Sequence, residues 1–202
     1  MQFNLVVAGV GGQGSIIASH IIAEAAIRSN LHARVGETFG AAMRGGAVAS
    51  HVRLGEVLSP LVPEDGADAV LALEPLEGLR VAVRFLRPHG SVIANTAAVP
   101  PVDVNIGAAA YPDHEQLADA YARLLARPCF LDATRLAVEA GNARAMNVVM
   151  LGALCAAIEL PVSRAALEAA VAARVPPKTL EANQRAFRAG FAAVRDARAA
   201  RG

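Results

Sequence analysis

The 202-residue chain has no tryptophan, two tyrosines and six phenylalanines, so aromatics make up only 4% of it. That scarcity removes the stacking platform on which single-stranded nucleic acid is held. A formal net charge of +1 removes the electrostatic argument for a polyanionic partner as well. The two cysteines, Cys129 and Cys155, are too few for a disulfide framework and fall short of the four ligands of a standard iron–sulfur cluster. None of the five histidines (His20, His32, His51, His89, His114) stands at a metal-ligand spacing such as i, i+4, so no metal site is expected. No apolar run approaches the roughly 20 residues that span a bilayer. The start Met1-Gln2-Phe3-Asn4 lacks the basic segment of a signal peptide. A cytoplasmic protein that binds neither membrane nor nucleic acid is expected. No Gly-x-Ser-x-Gly elbow occurs and neither cysteine lies in a nucleophile context, so no catalytic residue is assigned.

The chain is rich in core-forming residues. Hydrophobic residues make up 54% of it and charged residues 18%, enough for a large core within one domain. The apolar run Phe3–Ala8 reads as a buried strand, and the periodic segment after Gly14 reads as a helix to about residue 29. Further strands are expected at Ala33–Phe39, Ala47–Leu54 and Asp68–Leu73, then a short one at Ser91–Ala94 after a turn at Pro88-His89-Gly90, and another at Pro128–Leu131. A helix is expected from Glu74-Pro75 to about Leu86, and another from Asp113 to about Ala126, with 96–110 irregular. From Asp132 onward the pattern becomes helical, near 133–159, 163–174 and 177–198, with stops at Gly141, Pro161 and Pro176-Pro177. Ser163 and Asn142 read as caps. The fold class expected is α/β: a Rossmann-like open sheet, mostly parallel, with helices on both faces. Residues 1–131 would form the α/β core and 132–202 a helical C-terminal part of the same domain.

Two glycine clusters stand out. Gly9-Val10-Gly11-Gly12-Gln13-Gly14 lies between the first strand and first helix and fits G-x-G-x-x-G. Glycines let backbone N–H groups approach a phosphate, and the helix N-terminus adds partial positive charge. A tight turn without a ligand is the alternative. In a dinucleotide site Glu37 would bind the ribose; Gln13 is unusual there and would instead contact a partner or ligand. The second cluster, Arg44-Gly45-Gly46, sets a guanidinium beside flexible amides, which suits a phosphate or carboxylate; an exposed turn is its alternative. Both loops follow successive strands and would share one sheet edge. Glu74, at a strand end, would face the crevice, cap the next helix, or pair with Arg80 or Arg84. Asn95 would satisfy loop backbone, and Asn147, among apolar neighbours, needs a hydrogen-bond partner. Cys129 and Cys155 read as core residues.

The ordered set of these motifs, joined by Ser50-His51-Val52-Arg53, Ser59-Pro60, Leu73-Glu74-Pro75, Asn147-x-x-x-Leu151-Gly152-Ala153 and Lys178-x-x-Glu181-x-Asn183-x-x-Ala186-Phe187, resembles the gamma domain of 2-oxoacid:ferredoxin oxidoreductases. Within that family the look is nearest the beta subunits of indolepyruvate:ferredoxin oxidoreductases, over nearly the whole chain. The resemblance implies a subunit that supports oxidative decarboxylation of a 2-oxo acid to an acyl-CoA and is inactive alone. Thiamine diphosphate and iron–sulfur clusters would sit on a partner subunit, with ferredoxin as electron acceptor. Gly11, Gly12, Gln13, Gly14, Glu37, Arg44, Gly45 and Gly46 would line a crevice for coenzyme A. Indolepyruvate subunits usually carry a His-Gly pair ahead of Arg-Gly-Gly. Here the run is Glu37-Thr38-Phe39-Gly40-Ala41-Ala42-Met43-Arg44, which leaves an aryl pyruvate, pyruvate, 2-oxoglutarate or a branched 2-oxo acid open. A self-contained NAD(P)-dependent oxidoreductase and a non-catalytic assembly protein remain the other readings, and a homodimer or hetero-oligomer is expected from the apolar fraction.

Overall fold

The structure, a computed structural model, describes residues 2–40, 45–100, 102–124 and 128–200. The chain runs β1 (Phe3–Val10), α1 (Ser15–Arg28), β2 (Ala33–Phe39), β3 (Ala47–Leu54), β4 (Ala67–Ala72), α2 (Pro75–Phe85), β5 (Leu86–Asn95), a four-residue α3 (Val102–Asn105), α4 (His114–Leu124), β6 (Cys129–Leu131) and α5 (Ala133–Glu139). A 3-10 turn at Ala143–Ala145 leads into α6 (Met146–Ala157), followed by α7 (Arg164–Arg174), a second 3-10 turn at Pro177–Thr179, and α8 (Leu180–Ala199).

The six strands form one sheet in the order β2-β3-β1-β4-β5-β6. Strands β1, β4, β5 and β6 are parallel neighbours, while β3 runs antiparallel to both β1 and β2. Every residue of β1 is buried, as a strand covered on both faces must be. Its side chains alternate between two cores. Leu5 and Val7 face α1 and the C-terminal helices; Val6 and Ala8 face the α2 side. The larger cluster runs without a break from β1, β4 and β5 into α5, α6, α7 and α8. On the opposite face, Tyr121 of α4 packs with Val70, Ala82 and Val92.

Helices α6 and α8 cross at backbone contact. A Cβ on Gly152 would overlap the Phe187 carbonyl, and one on Gly190 would overlap that of Val149. Local signals set the helix starts. Ser163 Oγ accepts from Ala166 N at 3.1 Å. Asp113 and Gln116 exchange bonds of 2.8 and 3.0 Å, a reciprocal capping box. Asn142 caps the 3-10 turn, its Oδ1 accepting from Arg144 N at 3.1 Å.

Two expectations of secondary structure are corrected. Leu86–Asn95 is a continuous strand in place of the turn at Pro88-His89-Gly90 and short strand at Ser91–Ala94. The turn residues are absorbed as an irregularity: His89 takes φ +65° and the pairing with β4 shifts register between Ala67 and Ala69. Arg87 Nη1 lies 2.7 Å from Asp68 Oδ1 on β4, holding the early part of the strand in place. In the region expected to be irregular, Val102–Asn105 forms a single helical turn.

Candidate functional site: the C-terminal edge of the sheet

The parallel strands β1, β4, β5 and β6 all end on one edge, where crevices of open α/β sheets hold ligands. The first glycine loop closes β1 there. Gln13 N donates to Val10 O at 3.1 Å, Gly12 takes φ +107° and Gly14 φ +85°. Gly14 is the N-cap of α1 and supplies no side-chain cap. The N–H groups of Ser15 and Ile16, in the first turn of α1, have no intrahelical acceptor. A Cβ on Gly12 would meet nothing within 4 Å among the described residues. Ile16 and Ile17 flank the loop with exposed side chains.

The structure brings the second glycine cluster to the same place. Gly11 N donates to Gly46 O at 2.9 Å, and Gly45 N to Gly11 O at 3.4 Å; Gly45 has φ +71°. The Gly11 amide is therefore engaged by the protein itself. Arg44 lies outside the described residues. Glu37 sits on β2, separated from β1 by the antiparallel β3, about 10 Å at normal strand spacing. Its carboxylate meets His20 Nε2 of α1 at 3.3 Å, and His20 Nδ1 lies 3.0 Å from Arg174 Nη2.

Gln13 is turned inward. Its Oε1 accepts from Val10 N at 2.8 Å and its Nε2 donates to Leu73 O at 3.3 Å, tying the ends of β1 and β4. Asn95 continues the stitching. Its Nδ2 donates to the same Leu73 O and to Thr134 Oγ1, both at 3.1 Å, and its Oδ1 accepts from Ala133 N at 3.0 Å. The partner Asn147 requires is the glycine loop: its Nδ2 donates to Gly14 O at 3.2 Å, across 133 residues of sequence. These bonds span four strand ends with fixed side-chain dipoles, so the edge is preorganised.

Glu74 is fully buried at the end of β4. It caps α2, its Oε2 accepting from Glu77 N at 2.8 Å, and its other oxygen accepts from the Tyr111 hydroxyl. Arg80 and Arg84 pair with Glu77 and Glu64 instead. Burial pushes the Glu74 carboxyl above its ordinary value, against the pull of hydrogen bonds from Tyr111 and from the backbone of Glu77, Val99 and Leu76. Tyr111 is raised in turn by burial and by Glu74. No sequence pattern marks Tyr111, because its partner lies 37 residues away. A cavity of about 200 Å³ opens nearby between Pro75, Thr96, Leu117, Tyr121 and Phe130; it too is assembled from separate segments.

Away from this edge, His51 is buried beside Phe85, with ring centroids 5.1 Å apart. Its Nδ1 accepts from Val62 N at 3.3 Å, while Nε2 has no partner among the described residues. Burial and the nearby Arg84 charge lower its pKa. Burial raises the Cys155 thiol to about 12, which keeps it protonated and unreactive. No metal-binding cluster of His, Cys, Asp or Glu occurs among the described residues. No described helix is long and apolar enough to cross a membrane.

Comparison with known proteins places this geometry. The profile of the pyruvate ferredoxin/flavodoxin oxidoreductase family matches residues 4–193. The indolepyruvate oxidoreductase subunit IorB of Archaeoglobus fulgidus is 40% identical over 95% of this chain and 94% of its own. That of Thermococcus kodakarensis is 38% identical over 96% and 97%. Among solved structures, the gamma subunit of a keto/oxoacid ferredoxin oxidoreductase from Geobacter sulfurreducens has a TM-score of 0.67 at 28% identity, over 95% of this chain and 98% of that one.

Proposed function

The chain belongs to the pyruvate ferredoxin/flavodoxin oxidoreductase family, and we propose that its glycine loop holds phosphate groups of coenzyme A for a reaction completed on a partner subunit. It is a subunit of a 2-oxoacid:ferredoxin oxidoreductase. On our reading the substrate is an arylpyruvate of the indolepyruvate kind, following the names of the relatives at 36–40% identity. The Phe-Gly-x-x-Met-Arg-Gly-Gly run keeps pyruvate and 2-oxoglutarate as competitors to be assayed.

One observation carries the ligand reading. Two glycine loops, bonded to each other through Gly11, Gly45 and Gly46, border a helix N-terminus without a side-chain cap, and no described residue lies within 4 Å of where a Cβ on Gly12 would sit. Backbone N–H groups and the α1 dipole favour an anion there, and coenzyme A carries a pyrophosphate and a ribose phosphate. Gly12, Gly14 and the first turn of α1 would supply N–H donors. Gln13 would hold the loop's shape, and Arg44 with Gly45 and Gly46 would line the other wall. Glu37, engaged by His20 and set across β3, argues against a Rossmann-type ribose carboxylate and so against the NAD(P) alternative. Thiamine diphosphate, when bound on the partner, supplies the decarboxylation chemistry, and iron–sulfur clusters there pass electrons to ferredoxin. This chain, with two cysteines, would contribute binding and shape.

The test has two parts. Calorimetric titration of the purified chain and of the assembled complex with coenzyme A and with NAD should show binding of coenzyme A only. In the complex, Arg44→Ala should raise the KM for coenzyme A roughly tenfold or more, the loss of one charge-assisted contact, while the KM for the 2-oxo acid stays unchanged. NAD binding, or 2-oxo acid turnover by the chain alone, would overturn the reading.

A further inference from the structure

Every residue of α6 from Met146 to Leu154 is buried, and Asn147 alone among them carries an amide. Burying an amide costs free energy unless it is hydrogen-bonded. Alanine or leucine would extend the apolar run of α6 without that cost. Among the described residues, the side-chain bond of Asn147 leaves its own helix altogether. Its Nδ2 donates to Gly14 O at 3.2 Å. That carbonyl already has a partner, because Ala18 N donates to it at 2.9 Å as α1 begins. Satisfying Gly14 O therefore does not require Asn147, and what the second donor adds is orientation.

We infer that Asn147 is a positioning residue for the anion loop: by holding Gly14 O it fixes the Gly14–Ser15 peptide plane, and with it the Ser15 N–H. A trans peptide is rigid, and its N–H points opposite to its carbonyl. A carbonyl gripped by two donors leaves the N–H on the far side of the plane one direction. That N–H opens α1, where it has no intrahelical acceptor and no side chain caps the helix. Gly14 takes φ +85°, and a glycine is where such a peptide would otherwise turn most freely. The contact is close as well as bonded, since a Cβ on Gly14 would lie 2.6 Å from Asn147 Nδ2. Asn147 in turn is held in place, because α6 and α8 meet at backbone contact through Gly152 and Gly190. Gln13 secures the other end of the loop, at Val10 and Leu73. A donor fixed before the ligand arrives loses little freedom on binding, which favours affinity. The fixing rests on contacts within the chain, and its link to ligand affinity rests on the coenzyme A reading above.

Two variants of opposite volume test it. Asn147→Ala and Asn147→Leu both delete the donor; alanine leaves space and leucine fills it. Gly14 O keeps Ala18 N as a donor in both, so neither variant strands a buried polar group. Hydrogen–deuterium exchange of the full chain should quicken several-fold, the loss of one such bond, in peptides covering 14–19. Peptides covering β1 and β4 should keep their wild-type rates, and the urea midpoint of Asn147→Leu should match the wild type. In the assembled complex both variants should raise the KM for coenzyme A several-fold, with kcat and the KM for the 2-oxo acid unchanged. Unchanged exchange at 14–19 overturns the fixing of the peptide. Quickening that spreads into β1 and β4, or a lowered midpoint for Asn147→Leu, marks a general structural role and overturns positioning. A KM rise confined to one variant is an effect of volume and overturns the role of the bond. Quickened exchange with no change in the KM for coenzyme A overturns the positioning role as well. A wild-type complex that binds no coenzyme A overturns the ligand reading instead, and the exchange pattern still decides whether Asn147 fixes the peptide.

Discussion

Replacing Gly14 by alanine isolates the contact that joins the glycine loop to the C-terminal helices. Gly14 has φ +85°, a left-handed conformation that costs an L residue roughly 1–2 kcal/mol. A Cβ there would also lie 2.6 Å from Asn147 Nδ2 and 3.2 Å from Asn147 Cγ. Asn147 is buried on α6, a helix pinned by backbone contact with α8, so the amide cannot retreat without losing its bond to Gly14 O. Losing that bond and leaving a buried donor costs about 1–3 kcal/mol more. Gly14→Ala should therefore lower stability by roughly 2–5 kcal/mol, the sum of those two costs. Gly12→Ala is the matched control. Its φ of +107° carries backbone strain of about 1–3 kcal/mol, but its Cβ would meet nothing within 4 Å among the described residues. Urea unfolding, read as a shift in midpoint at constant m-value, gives both numbers. In the double variant Gly14→Ala with Asn147→Ala the steric part should vanish, leaving a coupling energy of about 1–3 kcal/mol. If Gly14→Ala costs no more than Gly12→Ala and the cycle shows no coupling, the Asn147 contact does not shape the loop.

Three further outcomes follow from the same contacts. Gly152→Ala should cost roughly 3 kcal/mol or more, because the obstacle is the Phe187 backbone and no rotamer change relieves it; thermal melting and soluble yield report it. His51 has its pKa depressed below the ordinary 6.5, so its contribution to stability is whole above that value. It is lost as pH falls through the lower folded value, since the unfolded chain takes up the proton first; urea midpoints measured between pH 7.5 and 5 should fall, and His51→Gln should flatten that slope. Asn95→Ala should leave Ala133 N without its acceptor and Leu73 O with one donor fewer, lowering stability by about 1–3 kcal/mol in the same urea assay.

The legible parts of this fold are those encoded over short spans. Periodicity and turn residues placed β1, α1, β2 and β3 within a residue or two, and the glycine spacing located both loops. Ser163 and Asn142 announced their caps because a cap is read from its own side chain. The short strand at Ser91–Ala94 was misread because Pro88-His89-Gly90 carries strong turn chemistry, which pairing with β4 and the Arg87–Asp68 ion pair override. Gln13 pointed toward a ligand on sequence grounds, whereas its amide is committed to Val10 and Leu73. The Tyr111–Glu74 bond and the Gly152–Gly190 crossing could not be read at all, since each depends on which segments tertiary packing brings together. The antiparallel β3 between β1 and β2 likewise follows from sheet order, which no local pattern specifies.

The 133 residues that separate Asn147 from Gly14 also set a sequence of events in time. The strands and first helix leave the ribosome well before α6 and α8 exist, and contacts so distant along the chain form late. The amide that fixes Gly14 is delivered only when the last helices dock through Gly152 and Gly190. A nascent or truncated chain ending near residue 131 would thus carry the glycine loop without its final anchor. The loop's last anchor is thus added only when α6 and α8 have docked.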